Sequence, residues 1–112
     1  MKMIQAIIRP EKLKSVKDAL CKVGINALTI ENVKGRGEQN GLEFTARSGV
    51  FRIDELPKVK LEIVVEDRDE DKVVDTICSA ARTGEMGDGK VFVIPVNRAV
   101  KIRTGEDWRY SP

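Results

Sequence analysis

Two glycine-rich segments hold the residues whose types and spacing suit chemistry on a charged ligand. In Gly84-Glu85-Met86-Gly87-Asp88-Gly89-Lys90-Val91 the glycines let backbone N–H groups approach a phosphate, and Lys90 adds a positive charge. The spacing is GxxxxGK. A P-loop, however, follows a strand, opens a helix and carries Ser or Thr after the lysine to hold magnesium; here a helical pattern precedes, a strand pattern follows, and Val91 takes the hydroxyl's place. On its own the segment is more simply a turn between helix and strand than an anion site. Elsewhere, Gly35, Gly37 and Gly41 surround Gln39 in a second such turn, Lys58 opens the strand after it, and Lys101 and Arg103 follow the last strand. Together these groups supply backbone donors and cations suited to a polyanion, although any one of them alone is ordinary solvated surface.

The elements that must position these groups follow from periodicity. Lys2 to Ile8 reads as a strand, Arg9-Pro10-Glu11 changes the period, and Pro10 suits a first helical position. Leu13, Val16, Leu20 and Val23 recur at helical spacing and Gly24 makes a stop. Ile25 to Val33 reads as a second strand. From Gly37 to Leu56 there is only weak apolar patterning around Phe44, Val50, Phe51 and Ile53, and so long a connection in a small domain is usually functional or mobile; a hairpin-like excursion fits it. Val59, Leu61, Ile63 and Val65 then point one way along a strand while Lys58, Lys60 and Glu62 point the other. Asp67 to Arg82 predicts a helix with acids in its first turns, where the dipole favours them. Lys90 to Val96 predicts a fourth strand and Ala99 to Arg103 a short fifth, followed by a polar tail with Trp108 and Tyr110.

Strand, helix, strand, strand, helix, strand is the order of the α+β ferredoxin-like split βαβ fold (βαββαβ), with both helices on one face of an antiparallel sheet. The chain has no further element to cover the other face, so self-association through that face is expected. A chain of 112 residues fits a single domain, 1–112. With 20 basic and 18 acidic residues the net charge is +2, too small a field to point to nucleic acid or to direct membrane insertion. The apolar runs fall far short of the roughly 20 residues of a membrane span and no signal-peptide pattern opens the chain, so the expected location is cytoplasmic. Histidine is absent, which removes the commonest general base and transition-metal ligand. Cys21 and Cys78 lack metal or redox spacing and read as ordinary semi-buried side chains.

Four stretches in order closely resemble the PII nitrogen-regulatory signal-transduction family. They are Lys34 to Gly41, Leu56 to Val65, Ala81 to Phe92, and Ile102 to Glu106. The resemblance covers nearly the whole chain and is similar to archaeal members in its Gly-Arg-Gly-Glu-Gln string. It implies a homotrimer with ATP or ADP in clefts between subunits, a target-binding T-loop at about 37–55, a phosphate-binding loop at about 82–90 and a C-terminal loop at about 102–112. Carried over, Gly35, Gly37, Gly87, Asp88, Gly89 and Lys90 serve the nucleotide, Thr29 and Val64 lie near the adenine or ribose with Thr83 beside them, and Lys101 and Arg103 reach phosphates from the adjoining subunit. Family members bind 2-oxoglutarate together with Mg-ATP. That assigns Gln39 to Mg²⁺ and the oxo-acid, Lys58 to the distal carboxylate, and Gly37 to Gly41 to backbone contacts; an oxygen-ligated hard cation suits this set.

Departures from the family pattern are also informative. Glu38 stands where many bacterial members have Arg, and a carboxylate there would repel a triphosphate. Lys101 replaces a common Arg, keeping charge and losing bidentate geometry. Phe51 stands at the modifiable Tyr of many bacterial members and Gly49 at the phosphorylated Ser of cyanobacterial ones, so neither covalent switch is expected; Ser48 is no established substitute. Arg47 matches a loop arginine that enters the pore of an ammonium transporter. That transporter is the leading expected partner, with glutamine synthetase second and Arg47 and Phe51 as partner-binding residues.

Other readings share the architecture. An RNA-recognition module needs stacking aromatics on its central strands, and Val59 to Val65 has none. An acylphosphatase-like enzyme would use Arg9 after the first strand, but leaves the long loop and both glycine turns without a role. The alternative retained is a ferredoxin-like trimeric interaction module that binds no ligand or only ADP and ATP. No positioned base or nucleophile marks the chain as an enzyme.

Overall fold

The structure, a computed structural model, describes residues 1–36, 42–46, 49–53 and 55–109, with 42–46 and 49–53 entering as backbone. Strand β1 (Lys2–Ile8) buries Ile4, Ala6 and Ile8 on one face. Proline disfavours helical backbone in the residue before it, and Arg9 is accordingly extended (φ −65°, ψ 140°) before the chain turns through Pro10–Lys12 into helix α1 (Leu13–Lys22).

Helix α1 buries Val16 and Leu20 and ends in a two-bond glycine cap: Gly24 N–H donates to the Cys21 carbonyl at 3.0 Å and Ile25 N–H to the Leu20 carbonyl at 2.9 Å, with Gly24 at φ 88°. Ile25 therefore belongs to the helix cap and packs with Leu28 against the core. The expected second strand, from Ile25 to Val33, is corrected to β2 (Thr29–Gly35).

Strands β3 (Leu42–Ala46) and β4 (Gly49–Ile53) pair antiparallel, Leu42 opposite Ile53 and Ala46 opposite Gly49, so the weakly patterned segment contains a hairpin. Strand β5 (Leu56–Val65) returns to the main sheet and buries Val59, Leu61, Ile63 and Val65. The acids that follow occupy a 3-10 turn, Asp67–Asp69, and the first turn of α2 (Glu70–Ala81), which buries Val73, Ile77 and Ala81. Strand β6 (Lys90–Pro95) completes an antiparallel sheet of order β2-β5-β1-β6, the α+β ferredoxin-like arrangement. Both helices lie over the face that carries Ile4, Leu61 and Ile63, and each such aliphatic side chain contributes roughly 1.5–3 kcal/mol on full burial.

The fifth strand is shorter than expected: β7 (Arg98–Val100) pairs with β8 (Asp107–Arg109), and Ala99 faces Trp108. A turn at Lys101 to Gly105 reverses the chain between them, so Lys101 to Arg103 leave the strand and Trp108 belongs to a hairpin; Tyr110 lies outside the described residues. Cys21 is exposed rather than semi-buried, while Cys78 is intermediate, and both are free thiols.

The opposite sheet face is not simply wet. The register aligns Val64, Met3 and Ile94 in one row and Thr29, Glu62, Gln5 and Phe92 in the next; the third row is Glu31, Lys60, Ile7 and Lys90. Val64, Phe92 and Ile94 are large apolar side chains that remain exposed in the single chain.

Candidate functional site

The site is built around Asp88. After α2 ends, with Arg82 N–H donating to the Cys78 carbonyl at 3.1 Å, the chain folds back on this carboxylate. Oδ2 accepts the backbone N–H of Thr83 at 2.8 Å and of Gly84 at 2.9 Å. Oδ1 accepts the Thr83 hydroxyl at 2.5 Å and the Arg9 Nε–H at 3.0 Å. The Thr83 hydroxyl, then the Thr83 amide, Arg9 and the Gly84 amide together hold the Asp88 carboxyl far below the usual carboxylate range, because each favours the charged form.

Two cations hold consecutive loop carbonyls. Arg9 donates from Nη2 to the Met86 carbonyl at 2.6 Å, and Lys58 donates from Nζ to the Gly87 carbonyl at 2.5 Å. Gly35 flanks Lys58: a Cβ at Gly35 would lie 3.6 Å from the lysine Cγ. At Gly89 the chain passes so close to β1 that a Cβ would stand 1.7 Å from the Ile7 carbonyl oxygen, and φ is 98°, so only glycine fits. Lys90 opens β6 opposite Ile7, in the same row as Lys60. Beside the loop is a cavity of about 210 Å³ whose lining includes Ile8, Ile77, Ala81, Gly89 and Lys90.

Gly35, Lys58, Thr83, Gly87, Asp88, Gly89 and Lys90 are thus brought to one end of the sheet. Thr29 and Val64 share the open face but sit toward its other end, Thr29 opposite Glu62 and Val64 opposite Met3, while Thr83 stands with Asp88 in the loop. Lys101 and Arg103 lie at the β7–β8 turn, where Gly105 N–H donates to the Lys101 carbonyl at 2.7 Å, and β7 and β8 form a two-stranded sheet separate from the four-stranded sheet that the glycine loop enters. Ile102 between them is 99 % exposed.

Gly37, Gln39, Gly41 and Arg47, together with Glu38, lie outside the described residues; Phe51 and Gly49 fall in β4, known as backbone. Among the described residues, no group of three or more His, Cys, Asp or Glu side chains is arranged to hold a metal. The sequence reading missed Arg9 as a part of this site. Its signal was the Arg-Pro step at the end of β1, which fixes an extended Arg where the loop returns.

Fold and loop together define a class of protein: a small ferredoxin-like α+β module whose helix-to-strand turn is a glycine-rich loop folded around the Asp88 carboxylate. The family profile of nitrogen regulatory protein P-II matches residues 1–106. The chain is 54 % identical over 106 residues to nitrogen regulatory protein P-II 2 of Methanothermobacter thermautotrophicus, covering 95 % of this chain and 92 % of the relative. It is 52 % identical over 106 residues to nitrogen regulatory protein P-II of Microchaete diplosiphon, covering 95 % of each. Nitrogen regulatory protein P-II 1 of Escherichia coli K12 is 51 % identical over 107 residues, covering 96 % of each. The chain belongs to the P-II family, whose members are regulators in nitrogen signalling rather than enzymes. No helix among the described residues is long and apolar enough to cross a membrane.

Proposed function

We propose that this chain is a cytoplasmic nitrogen-status regulator that binds ATP or ADP at the glycine loop and 2-oxoglutarate together with Mg-ATP. The supporting observation is the committed charge of Asp88: its oxygens are taken by Thr83, Gly84 and Arg9, so the acid within the loop is neutralised where a phosphate would bind. Lys90 and Lys58 supply charge beside glycine amides, a donor set that fits a polyphosphate and a dicarboxylate. Lys58 would exchange the Gly87 carbonyl for the distal carboxylate of 2-oxoglutarate, with Gln39 and the Gly37 to Gly41 backbone completing that site and Gln39 facing Mg²⁺. Gln39 would hold Mg²⁺ there, and the bound cation would supply positive charge to offset the phosphate and oxo-acid anions.

The working assembly in this reading is a homotrimer closed through the open sheet face. Lys101 and Arg103, set in a hairpin apart from the main sheet, would reach phosphates of a nucleotide in the cleft of an adjoining subunit, with Thr29 and Val64 near its adenine or ribose. The segment 37–55 is the target-binding loop, directed with Arg47 and Phe51 at an ammonium transporter or glutamine synthetase.

Calorimetric titration with Mg-ATP, then with 2-oxoglutarate in its presence and absence, tests this on the parent chain and on Gln39→Ala and Lys58→Ala. Nucleotide-dependent 2-oxoglutarate binding that both variants lose is the expected result. Nucleotide binding with no 2-oxoglutarate response would reduce the chain to an adenylate-binding trimer, and binding of neither would leave a ligand-free interaction module.

A further inference from the structure

An acid inside a phosphate-binding loop is an electrostatic liability. A free carboxylate about 7 Å from a phosphate weakens binding by roughly fivefold to tenfold per phosphate charge at an effective dielectric constant of about 40. Asp88 lies inside the loop, between Gly87 and Gly89. We propose that Arg9 is a positioning residue for the nucleotide: it neutralises Asp88 and grips the Met86 carbonyl, so that the carboxylate stays turned into the loop and away from the phosphates. The assignment rests on the reading of this loop as a nucleotide site.

Geometry supports the role. Arg9 and Asp88 are only 23 % and 25 % exposed as side chains, so their pairing is partly shielded from solvent. The guanidinium lies against the loop backbone, where a Cβ at Gly87 would stand 3.2 Å from Nη2. Its origin is fixed from both sides: Pro10 keeps the Arg9 backbone extended, and the contact of Gly89 with Ile7 seats the loop on the same strand end. Lysine at position 9 could replace the charge but not the fork that meets Asp88 and Met86 together.

Electrostatic positioning and a merely structural role differ in their signature. Loss of Arg9 as a neutralising group costs more for a ligand with more phosphate charge, and the cost shrinks with added salt. Loss of loop structure alone costs ATP and ADP alike. Calorimetric affinities for ATP and for ADP, at low and moderate salt, should be measured for the parent chain and for Arg9→Gln, Arg9→Lys, and Arg9→Gln combined with Asp88→Asn, with thermal melting to verify that each is folded.

Arg9→Gln should weaken ATP by about tenfold and ADP by less, the gap narrowing in salt. Arg9→Lys should retain more affinity than Arg9→Gln, and removing the Asp88 charge should restore most of what Arg9→Gln lost. Unchanged ATP affinity in Arg9→Gln, equal losses for ATP and ADP, Arg9→Lys no better than Arg9→Gln, or failure of the double variant to recover would each overturn the assignment. A parent chain that binds neither nucleotide would overturn the functional reading itself, and this assignment with it, whereas a parent that binds with an indifferent Arg9→Gln sinks only the role of Arg9.

Discussion

Asp88 shows how one side chain can organise a loop while bringing a negative charge into it. Its folded carboxyl is depressed, chiefly by the Thr83 hydroxyl and amide and then by Arg9, so its stabilisation is present above the unfolded value of about 3.9 and is lost as pH falls through the lower folded value. The stability difference between the parent chain and Asp88→Asn should therefore be flat from about pH 8 to pH 5 and shrink only below about pH 4, as urea denaturation at a series of pH values would show. A difference that vanished already near neutral pH would contradict the depressed carboxyl. Gly89 carries a separate constraint, since a Cβ there meets the Ile7 carbonyl oxygen at 1.7 Å and the backbone has φ 98°. Gly89→Ala should displace the loop at a cost of about 1–3 kcal/mol, weakening ATP by roughly tenfold or more in calorimetry while the rest of the fold persists.

At the scale of elements, the end of α1 and the end of α2 solve the same problem differently. Helix α1 stops on a glycine cap that brings Ile25 and Leu28 back to the core. Gly24→Ala should cost about 1–2 kcal/mol through left-handed backbone, lowering the urea midpoint with an unchanged slope and leaving nucleotide affinity alone, because nothing lies within 4 Å of the added Cβ. Helix α2 stops instead on an extended Arg82, and its exit is held by a side chain, Asp88, from the loop it enters. Displacing that second exit, as Gly89→Ala would, reaches the site, whereas perturbing the first does not. The β7–β8 hairpin is fastened by Arg98, which meets Asp107 through Nε and Nη2 at 3.1 and 2.9 Å, an exposed pair worth at most about 1 kcal/mol.

At the scale of the whole molecule, the open sheet face carries Val64, Phe92 and Ile94 in exposed positions around the polar cluster of Gln5, Glu62, Lys60 and Glu31. Met3, Val64 and Ile94 form one continuous row, the feature expected of a face that a second copy covers. Val64→Asp should convert an associated parent to monomer in size-exclusion chromatography with light scattering. A parent that is itself monomeric in that measurement would remove the trimer from the functional reading.

Period and punctuation in the sequence determined the element order and the identity of the inward residues Val59, Leu61, Ile63, Val16 and Leu20, because alternation and helical spacing are local properties of the chain. The ferredoxin-like topology followed from that order, and the quoted family stretches pointed to the P-II family. The boundaries at Thr29 and Val100 were less legible: an isoleucine after a glycine cap and a cationic turn after a short strand satisfy strand periodicity without pairing. Only the tertiary structure decided how Asp88 is used. Asp88 lies 79 residues from Arg9 and 5 from Thr83, and the carboxylate's direction depends on where β1 ends relative to the loop. Long-range seating of one strand end against one turn is set by packing of the whole sheet, and no spacing along the chain encodes it.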